Sequence, residues 1–325
     1  MGVKAYHARQ IFSWIYKRGV LDFNQMSDIP QKLREMLMGK FYISELKLLK
    51  LLKSEDGTQK LLLGLNDENC VEAVVIPTRD RVTICVSSQV GCKFGCKFCA
   101  SGMLGFKRNL TVGEIIDQVI HLKNIAPENK ITNLVFMGTG EPMDNYDNVM
   151  KAIRIINSGQ GFNIGARKIT ISTSGIIPGI ESLGREDLQV ELSVSLHAAD
   201  DKLRTALMPV NKKYPLKDLI KACKEYSRKT NRQVTFEYIL IKDVNSNISN
   251  AQDLVRLLED FKLSKINIIP FNAINEFNIK SADRNTVASF QDYLAQHGVH
   301  AILRKERGED ISAACGQLRL SHAKK

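Results

Sequence analysis

The feature that most constrains the fold is a regular alternation of apolar runs and helical segments in the C-terminal part of the chain. Six runs are rich in β-branched residues and read TNLVFMG, RKITIST, VELSVSLH, VTFEYILI, KINIIPF and VHAILRK. Such runs are typical of strands buried on both faces, and repeated βα units predict a parallel sheet with right-handed crossovers. A full or partial βα barrel and a doubly wound sheet both fit this pattern. In either fold, ligands bind at the carboxyl ends of the strands.

The N-terminal part has a different pattern. Apolar residues recur at helical spacing in AYHARQIFSWIYKRG, and Pro30 opens a second helical segment, QKLREMLMGKF. Leucine-rich runs flank Asp56-Gly57, which indicates a hairpin, and the segments CVEAVVIP and RVTICVSS are typical of strands. We therefore predict a helical accessory domain over residues 1–50, a β-hairpin and strand linker region over residues 51–80, and a βα domain over residues 81–325.

Three cysteines in one short loop predict a metal centre. Cys92, Cys96 and Cys99 follow a C-x3-C-x2-C pattern. A cubane iron–sulfur cluster usually takes four cysteines, so three would leave one iron open to bind and activate a small molecule. Structural zinc almost always takes four ligands, and no fourth Cys or His follows nearby. Disulfides belong to oxidising compartments and small scaffolds. The pattern therefore favours an open-site cluster over zinc, and zinc over a disulfide knot.

Composition indicates a basic protein of a reducing compartment. The seven cysteines occur without a signal-peptide pattern, and no apolar stretch approaches the ~20 residues that span a bilayer, so we expect a cytoplasmic protein. The net charge is +11, and residues 1–60 hold eleven Lys/Arg against six Asp/Glu. Phosphate backbones attract such patches. A nucleic-acid substrate is therefore favoured over a small metabolite, with a solvated basic face as the alternative.

Polar residues follow four of the predicted strands. The groups are Gly138-Thr-Gly-Glu-Pro142, Ser172-Thr-Ser-Gly175, Ser195-Leu-His197 and Pro270-Phe-Asn272. Each alone is most often a turn or cap residue. Four of them at one face predict a polar ligand pocket beside the cysteine loop, where Glu141 could bind an ammonium group.

The remaining cysteines and one carboxylate have less specific patterns. Cys70 and Cys223 are predicted to be small buried hydrophobic residues. Cys85 ends the strand that enters the cysteine loop, so its thiol is expected near the site. From spacing alone, Cys315 is an ordinary free thiol and Glu72 is a surface carboxylate.

The combination of CVSSQVGCKFGCKFC with GTGEP, ISTSG, SLHA, PFN and AACGQL resembles the RlmN family of radical S-adenosylmethionine RNA methyltransferases. The resemblance covers essentially the whole chain, whereas C-x3-C-x2-C alone would indicate only the radical-SAM superfamily. It implies an α/β fold, a partial βα barrel of the TIM type, with a small N-terminal helical accessory domain. The related Cfr group shares much of this layout, but the strings Gly-Glu-Pro and Gln-Val-Gly-Cys favour RlmN.

The resemblance also implies roles for individual residues. Cys92, Cys96 and Cys99 would hold a 4Fe-4S cluster. The implied contacts with S-adenosylmethionine are Gly140, Glu141, Ser172, Ser195, Leu196, His197 and Asn272. Cys315 matches the cysteine that becomes S-methylated, Cys85 matches its transient disulfide partner, and Glu72 matches the carboxylate proposed as proton acceptor.

The reaction implied by the family explains why two thiols are needed. Carbon 2 of adenine is not nucleophilic, so simple methyl transfer from a sulfonium should fail. In the family, one S-adenosylmethionine methylates Cys315, and a second is cleaved to a 5′-deoxyadenosyl radical that activates the methyl group. The implied substrates are adenosine in 23S rRNA near the peptidyl-transferase centre and adenosine 3′ of the anticodon in tRNA.

Partners and rival functions complete the expectations. We expect a monomer without membrane association that receives electrons from a flavodoxin or ferredoxin type of donor. The alternatives are a Cfr-type methyltransferase acting on carbon 8 of adenosine in rRNA and a non-catalytic RNA-binding metalloprotein.

Overall fold

The computed structural model describes residues 3–318 except residues 104, 273–279 and 315. In this part of the chain the strands are β1 (Lys47–Lys53), β2 (Gln59–Gly64), β3 (Cys70–Pro77), β4 (Val82–Cys85), β5 (Gln89–Gly91), β6 (Phe106–Asn109), β7 (Asn133–Phe136), β8 (Ile169–Thr173), β9 (Glu191–Ser195), β10 (Val234–Leu240), β11 (Ser264–Pro270) and β12 (Ala301–Leu303). The α-helices are α1 (Ala5–Phe12), α2 (Gln31–Met38), α3 (Ala100–Met103), α4 (Val112–Ile125), α5 (Tyr146–Asn157), α6 (Ile177–Leu183), α7 (Asp201–Leu207), α8 (Leu216–Thr230), α9 (Ile248–Leu258) and α10 (Arg284–Gln296).

One mixed sheet organises the molecule. Its order is β1-β2-β3-β4-β7-β8-β9-β10-β11-β12, and β5 pairs separately with β6. β4 and β7 to β12 run parallel to one another, whereas β1 to β3 extend the sheet antiparallel beyond β4. The parallel strands follow in chain order, so the sheet lacks the reversal that defines a doubly wound fold. Within the described residues β1 and β12 do not pair, and the prediction of a partial βα barrel is confirmed.

The two faces of the sheet differ in chemistry. On β10, Val234, Phe236 and Tyr238 pack in the main hydrophobic core. The alternate residues Thr235 and Glu237 line a cavity on the opposite, inner face. All seven residues of β10 are buried, as predicted. Its inner face is nevertheless polar, because this face lines the cavity and does not pack against a second apolar layer.

The predicted N-terminal helical region is present. It has its own small core, formed by Phe23, Met26, Ile29, Leu33 and Leu37. Beyond this core, the Ser44 hydroxyl donates a hydrogen bond of 2.6 Å to the Asp117 carboxylate on α4. The N-terminal segment is therefore held to the barrel by a partly buried hydrogen bond as well as by the β1–β2 hairpin that follows it.

Most of the predicted elements of the barrel are confirmed, and three short features were missed. A capping box begins α4: the Thr111 hydroxyl accepts the Glu114 N–H, and the Glu114 carboxylate accepts the Thr111 N–H at 2.8 Å. α3, α7 and the β5–β6 pair were not predicted because each is short. No helix in the described ranges combines the length and apolar character needed to span a membrane.

Candidate active site

A narrow β-hairpin holds the cysteine loop (residues 92–105). Gly91 at its base has φ +75°, and a side chain there would collide with the Gly105 carbonyl across the hairpin. The Cys92 N–H donates to the same carbonyl at 3.0 Å. On the other side of the loop, the Lys97 N–H donates to the last carbonyl of α7 at 2.9 Å. The loop is therefore anchored at both sides, which fixes where its thiols lie.

The three predicted cluster cysteines line one cavity of about 150 Å³. Burial raises the pKa of the Cys92 thiol to about 12 and raises the pKa of Cys96 well above its usual range, with the neighbouring thiols adding to both shifts. A metal centre reverses this effect, since a coordinating thiol is deprotonated outright. No three His, Cys, Asp or Glu side chains of the described residues converge on a single ion. A cubane does not require this, because its cysteines bind separate irons, so the donor set fits a cluster.

The carboxyl ends of three neighbouring strands complete the wall of this cysteine cavity. Gly140 and Glu141 follow β7, Ser172 lies on β8, and Ser195 and His197 lie at the end of β9. The structure therefore brings five of the predicted S-adenosylmethionine contacts together with the three cysteines. Parallel strands place their carboxyl ends at one edge, which is why these distant segments meet.

Glu141 is fixed in the cavity wall by backbone donors. Its carboxylate accepts hydrogen bonds from the N–H groups of Met143 at 3.0 Å and Ser174 at 2.7 Å. Burial raises the pKa of Glu141, and these donors oppose the shift. Gly140 has φ +107°, and a Cβ there would lie 2.6 Å from the Cβ of Gln89. Because Gly140 has no side chain, Gln89, which precedes the cysteine loop, can pack closely against it.

His197 is a neutral hydrogen-bond donor in this wall. Its Nδ1 accepts the Ile239 N–H at 3.1 Å, so the ring proton resides on Nε2. Burial, with a smaller effect from the Arg204 guanidinium, lowers the pKa of His197 to about 3. The ring packs edge-on against Phe98 of the cysteine loop, with centroids 4.6 Å apart. His197 therefore joins the strand end to the loop without carrying charge at neutral pH.

Two predicted contacts lie elsewhere. The Leu196 side chain is fully buried in the main core, and its carbonyl accepts a bond from the Arg204 guanidinium at 3.2 Å. Asn272 is buried after β11 and lines the larger cavity on the inner face of the sheet. Neither residue lines the cysteine cavity. Their contacts with S-adenosylmethionine therefore remain predictions from the sequence.

Arg204 is a residue that sequence reasoning missed. It lies on α7, is fully buried, and donates to the carbonyls of Ser174 at 2.8 Å and Ser195 at 3.0 Å, and to the Asn211 side chain at 2.7 Å. Burial lowers its pKa to about 10, which leaves it charged at neutral pH. Arg204 ties the ends of β8 and β9 together. It was missed because α7 itself was not predicted.

A larger cavity of about 560 Å³ lies on the inner face of the barrel and shares wall residues with the cysteine cavity. Glu237 lines both cavities, and its Oε1 accepts bonds of 3.1 Å from Ser193 and Asn267. The cations along the larger cavity are Arg81, Lys265, Arg304, Lys305 and Arg307. Glu237 is a second residue that sequence reasoning missed. A single carboxylate within the apolar run VTFEYILI was a signal that this face of the strand lines a polar cavity.

Glu72 and Cys85 lie on one face of the sheet. Cys85 on β4 pairs with Val74 on β3, and Glu72 is two residues before Val74, so all three side chains point the same way. Val74 and Cys85 form an apolar cluster with Ala313 and Leu318 of the C-terminal segment. Cys85 therefore lies beneath the segment that contains Cys315, a residue outside the described ranges.

Glu72 corrects one expectation from the sequence. Its side chain is 1% exposed, and its Oε1 lies 3.1 Å from the ammonium of Lys60 on β2. The prediction of a surface carboxylate is wrong because the C-terminal segment returns over this face of β2 and β3. Cys70 and Cys223 are buried, as predicted.

A partial βα barrel with three cysteines at the carboxyl edge of its sheet defines a radical S-adenosylmethionine enzyme, and residues 86–258 match the Radical SAM superfamily. Residues 1–43 match the ribosomal RNA large subunit methyltransferase N-terminal domain. Together with the relatives described next, these matches show that the chain belongs to the RlmN family of radical S-adenosylmethionine RNA methyltransferases.

Curated relatives match along nearly the whole chain. The chain is 48% identical to a probable dual-specificity RNA methyltransferase RlmN of Thermoanaerobacter sp., over 100% of this chain and 94% of the relative. It is 45% identical to a protein of the same name from Clostridium perfringens, over 99% of this chain and 93% of the relative. The crystal structure of a radical SAM methyltransferase from Sphaerobacter thermophilus has a TM-score of 0.94 at 44% identity, and the match covers 98% of this chain and 94% of that chain.

Membership of this family identifies the cofactors. The protein is an RNA methyltransferase that binds a 4Fe-4S cluster and S-adenosylmethionine. A non-catalytic metalloprotein, one of the alternatives from the sequence, is therefore excluded.

Proposed function

We propose that this enzyme methylates carbon 2 of adenosine in two RNAs, 23S rRNA near the peptidyl-transferase centre and tRNA at the adenosine 3′ of the anticodon. Two findings support this choice of substrates. The curated relatives are named dual-specificity RNA methyltransferases, and the N-terminal match is to methyltransferases of the large ribosomal subunit.

The observation that carries the proposal is the common face of Glu72 and Cys85 beneath the C-terminal segment. A methyl carrier on Cys315 needs a base for the ring proton and a thiol to release the product. The sheet supplies a carboxylate on β3 and a thiol on the adjacent β4, two residues apart in register and on the same face. Ala313 and Leu318, on either side of Cys315 in the sequence, contact the cluster that contains Cys85. The common face of Glu72 and Cys85, covered by residues on both sides of Cys315 in the sequence, supports the proposed roles of these three residues.

We assign the cofactor sites from the geometry of the cysteine cavity. Cys92, Cys96 and Cys99, which line this cavity, would hold the cluster, and three cysteines would leave one iron open to S-adenosylmethionine. Gly140, Glu141, Ser172, Ser195 and His197 form the wall that receives S-adenosylmethionine. The Glu141 carboxylate is suited to its ammonium group, and the His197 Nε2 proton to an acceptor. When bound, the two groups supply hydrogen-abstracting radical chemistry.

The protein's own residues handle the proton and the thiol exchange. Cys315 carries the methyl carbon that becomes joined to the adenine, and Glu72 accepts the proton that the ring loses at carbon 2. The Cys85 thiolate then attacks the Cys315 sulfur, so that an S–S bond forms and the S–C bond breaks. The electron pair of the broken bond stays on the methylene carbon, which takes a proton and becomes the methyl group. The Cys85–Cys315 disulfide must then be reduced, which suits a cytoplasmic enzyme. A donor of the flavodoxin or ferredoxin type supplies electrons to the enzyme.

The larger cavity on the inner face of the barrel suits an RNA nucleotide that is flipped out of its base stack. The larger cavity adjoins the cysteine cavity, and its cations provide partners for phosphate oxygens.

We assign residues 1–50 to an RNA-binding accessory domain, residues 51–80 to a hairpin and strand linker, and residues 81–325 to the catalytic barrel of a monomeric enzyme.

Nucleoside mass spectrometry of 23S rRNA and tRNA from cells with and without the gene tests this proposal. We expect 2-methyladenosine to disappear from both RNAs on deletion and to return on complementation. Loss from one RNA alone would refute dual specificity. Loss of 8-methyladenosine with unchanged 2-methyladenosine would instead establish the Cfr-type reaction.

A further inference from the structure

A buried ion pair connects Glu72 to the C-terminal segment. Lys60 on β2 and Glu72 on β3 have side chains 7% and 1% exposed, and their charged groups are 3.1 Å apart. Lys60 pairs with Val74 in the register of the two strands, which places its side chain on the same face as Glu72 and Cys85. The pair therefore lies beside the apolar cluster that contains the Cys85 thiol.

The same ammonium group also holds the C-terminal segment. Lys60 Nζ donates a hydrogen bond of 2.9 Å to the carbonyl of Ser312, which has φ +52° and lies three residues before Cys315. Lys60 is thus bonded both to the carboxylate proposed as the base and to the segment that carries the proposed methyl carrier.

Attachment of this segment alone does not require a buried charge. The Ser54 hydroxyl donates to Asp310 at 2.6 Å, and Asp56 accepts the Gly308 N–H at 3.1 Å. Both contacts hold the segment at the β1–β2 turn, and neither involves Lys60. Removing two charges from water is expensive, and apolar replacements of buried ion pairs are often neutral or stabilising. The charge on Lys60 therefore points to a role in the chemistry of Glu72.

We propose that Lys60 is a positioning residue for methyl transfer. Its ammonium keeps the Glu72 carboxylate ionised and directed toward the substrate, and its bond to Ser312 sets the position of the carrier segment relative to that base. Lys60 transfers no proton itself. The inference rests on the proposed roles of Glu72 and Cys315 and extends them to a residue outside the motifs.

Three variants test the role of the Lys60 charge. Lys60→Met removes the charge and the donor at similar length, Lys60→Gln removes the charge but keeps an N–H donor on a slightly shorter side chain, and Lys60→Arg keeps both charge and donor. Ser54→Ala is the matched control, because it weakens the attachment of the same segment without contacting Glu72. Each purified enzyme is assayed for iron content, thermal unfolding, label transfer from S-adenosylmethionine to Cys315, covalent protein–RNA adduct, and methylated RNA in a single turnover.

We expect the two neutral variants to separate the half-reactions. Methylation of Cys315 should stay within about twofold of wild type, whereas formation of methylated RNA should slow by at least about tenfold and the covalent adduct should accumulate. Lys60→Arg should recover most of the rate, and Ser54→Ala should behave like wild type. If Lys60→Met does not fold, Lys60→Gln decides the question.

Other outcomes would overturn the inference. Equal losses in both half-reactions, or the same adduct accumulation in Ser54→Ala, would show that Lys60 only supports the segment. Wild-type rates in both neutral variants would show that its charge is not needed. These results differ from failure of the proposed function, in which the wild-type enzyme itself would form no 2-methyladenosine.

Discussion

Replacing Gly140 with alanine tests the geometry of the cysteine cavity most directly. Gly140 has φ +107°, a conformation that residues with a side chain rarely adopt. A Cβ at this position would also lie 2.6 Å from the Cβ and 2.7 Å from the N atom of Gln89. The substitution therefore combines backbone strain with an overlap against backbone atoms that cannot rotate away.

The expected loss of stability follows from these two effects. A residue held in a sparsely populated backbone region costs about 1–3 kcal/mol. Overpacking a well-packed site costs about 1–3 kcal/mol more. We therefore expect Gly140→Ala to lower the free energy of unfolding by about 2–6 kcal/mol, a large part of the ~5–15 kcal/mol typical of native proteins. Urea denaturation followed by circular dichroism, with and without S-adenosylmethionine, measures this loss.

Gly165 provides a matched control for the same chemical change. It has φ −58° and ψ 140°, and a Cβ there would meet no atom within 4 Å. Gly165→Ala should be neutral or stabilise the fold by about 0.4–1 kcal/mol, since alanine restricts the unfolded chain. The Gly140 variant should also lose affinity for S-adenosylmethionine, because Glu141 is displaced with the turn. If Gly140→Ala were as stable as Gly165→Ala and bound S-adenosylmethionine equally well, the inferred contact with Gln89 would be wrong.

Two further predictions concern other buried groups. Burial raises the pKa of Asp117 to about 7, so between about pH 4 and pH 7 the folded state retains a proton that the unfolded state loses, and the free energy of unfolding falls as the pH rises through this range. Asp117→Asn removes this dependence, and its stability advantage over wild type in urea denaturation should be about 2–3 kcal/mol larger at about pH 8 than at about pH 5; an advantage that did not change with pH would contradict it. Cys85→Ala should accumulate a covalent protein–RNA adduct detectable by gel shift and mass spectrometry. Normal turnover of an RNA-free variant would exclude Cys85 as the resolving thiol.

The fold was largely predictable because its elements have local signals. The six apolar runs became β7 to β12, and Asp56-Gly57 turns the β1–β2 hairpin as expected. These runs do not distinguish a barrel from a doubly wound sheet, because the order of the strands depends on long-range pairing. α7 was missed because its seven residues give little periodicity, although Asp200 caps its first turn by accepting the Leu203 N–H at 2.8 Å.

The site was predictable where chemistry follows a strand end. Gly140, Glu141, Ser172, Ser195 and His197 all line the cysteine cavity. Leu196 shows that not every residue of a motif lines the site. Side chains alternate along the chain, so Leu196 points into the core whereas its neighbours Ser195 and His197 face the cavity. Residues that position others, such as Arg204 and Glu237, are outside the motifs and become visible only through their buried hydrogen bonds.

Glu72 shows why some functional residues require the folded chain. In CVEAVVIP the carboxylate occupies an alternate position of a strand, which in isolation predicts a solvent-facing side chain. Its burial depends on a segment far along the sequence, as the bond from Lys60 to the Ser312 carbonyl spans 252 residues. The same return of the chain covers Cys85, through Ala313 and Leu318. The pairing of β2, β3 and β4 places the carboxylate, the thiol and the ammonium on one face, but only the returning C-terminal segment buries them, so no local pattern can reveal their joint role.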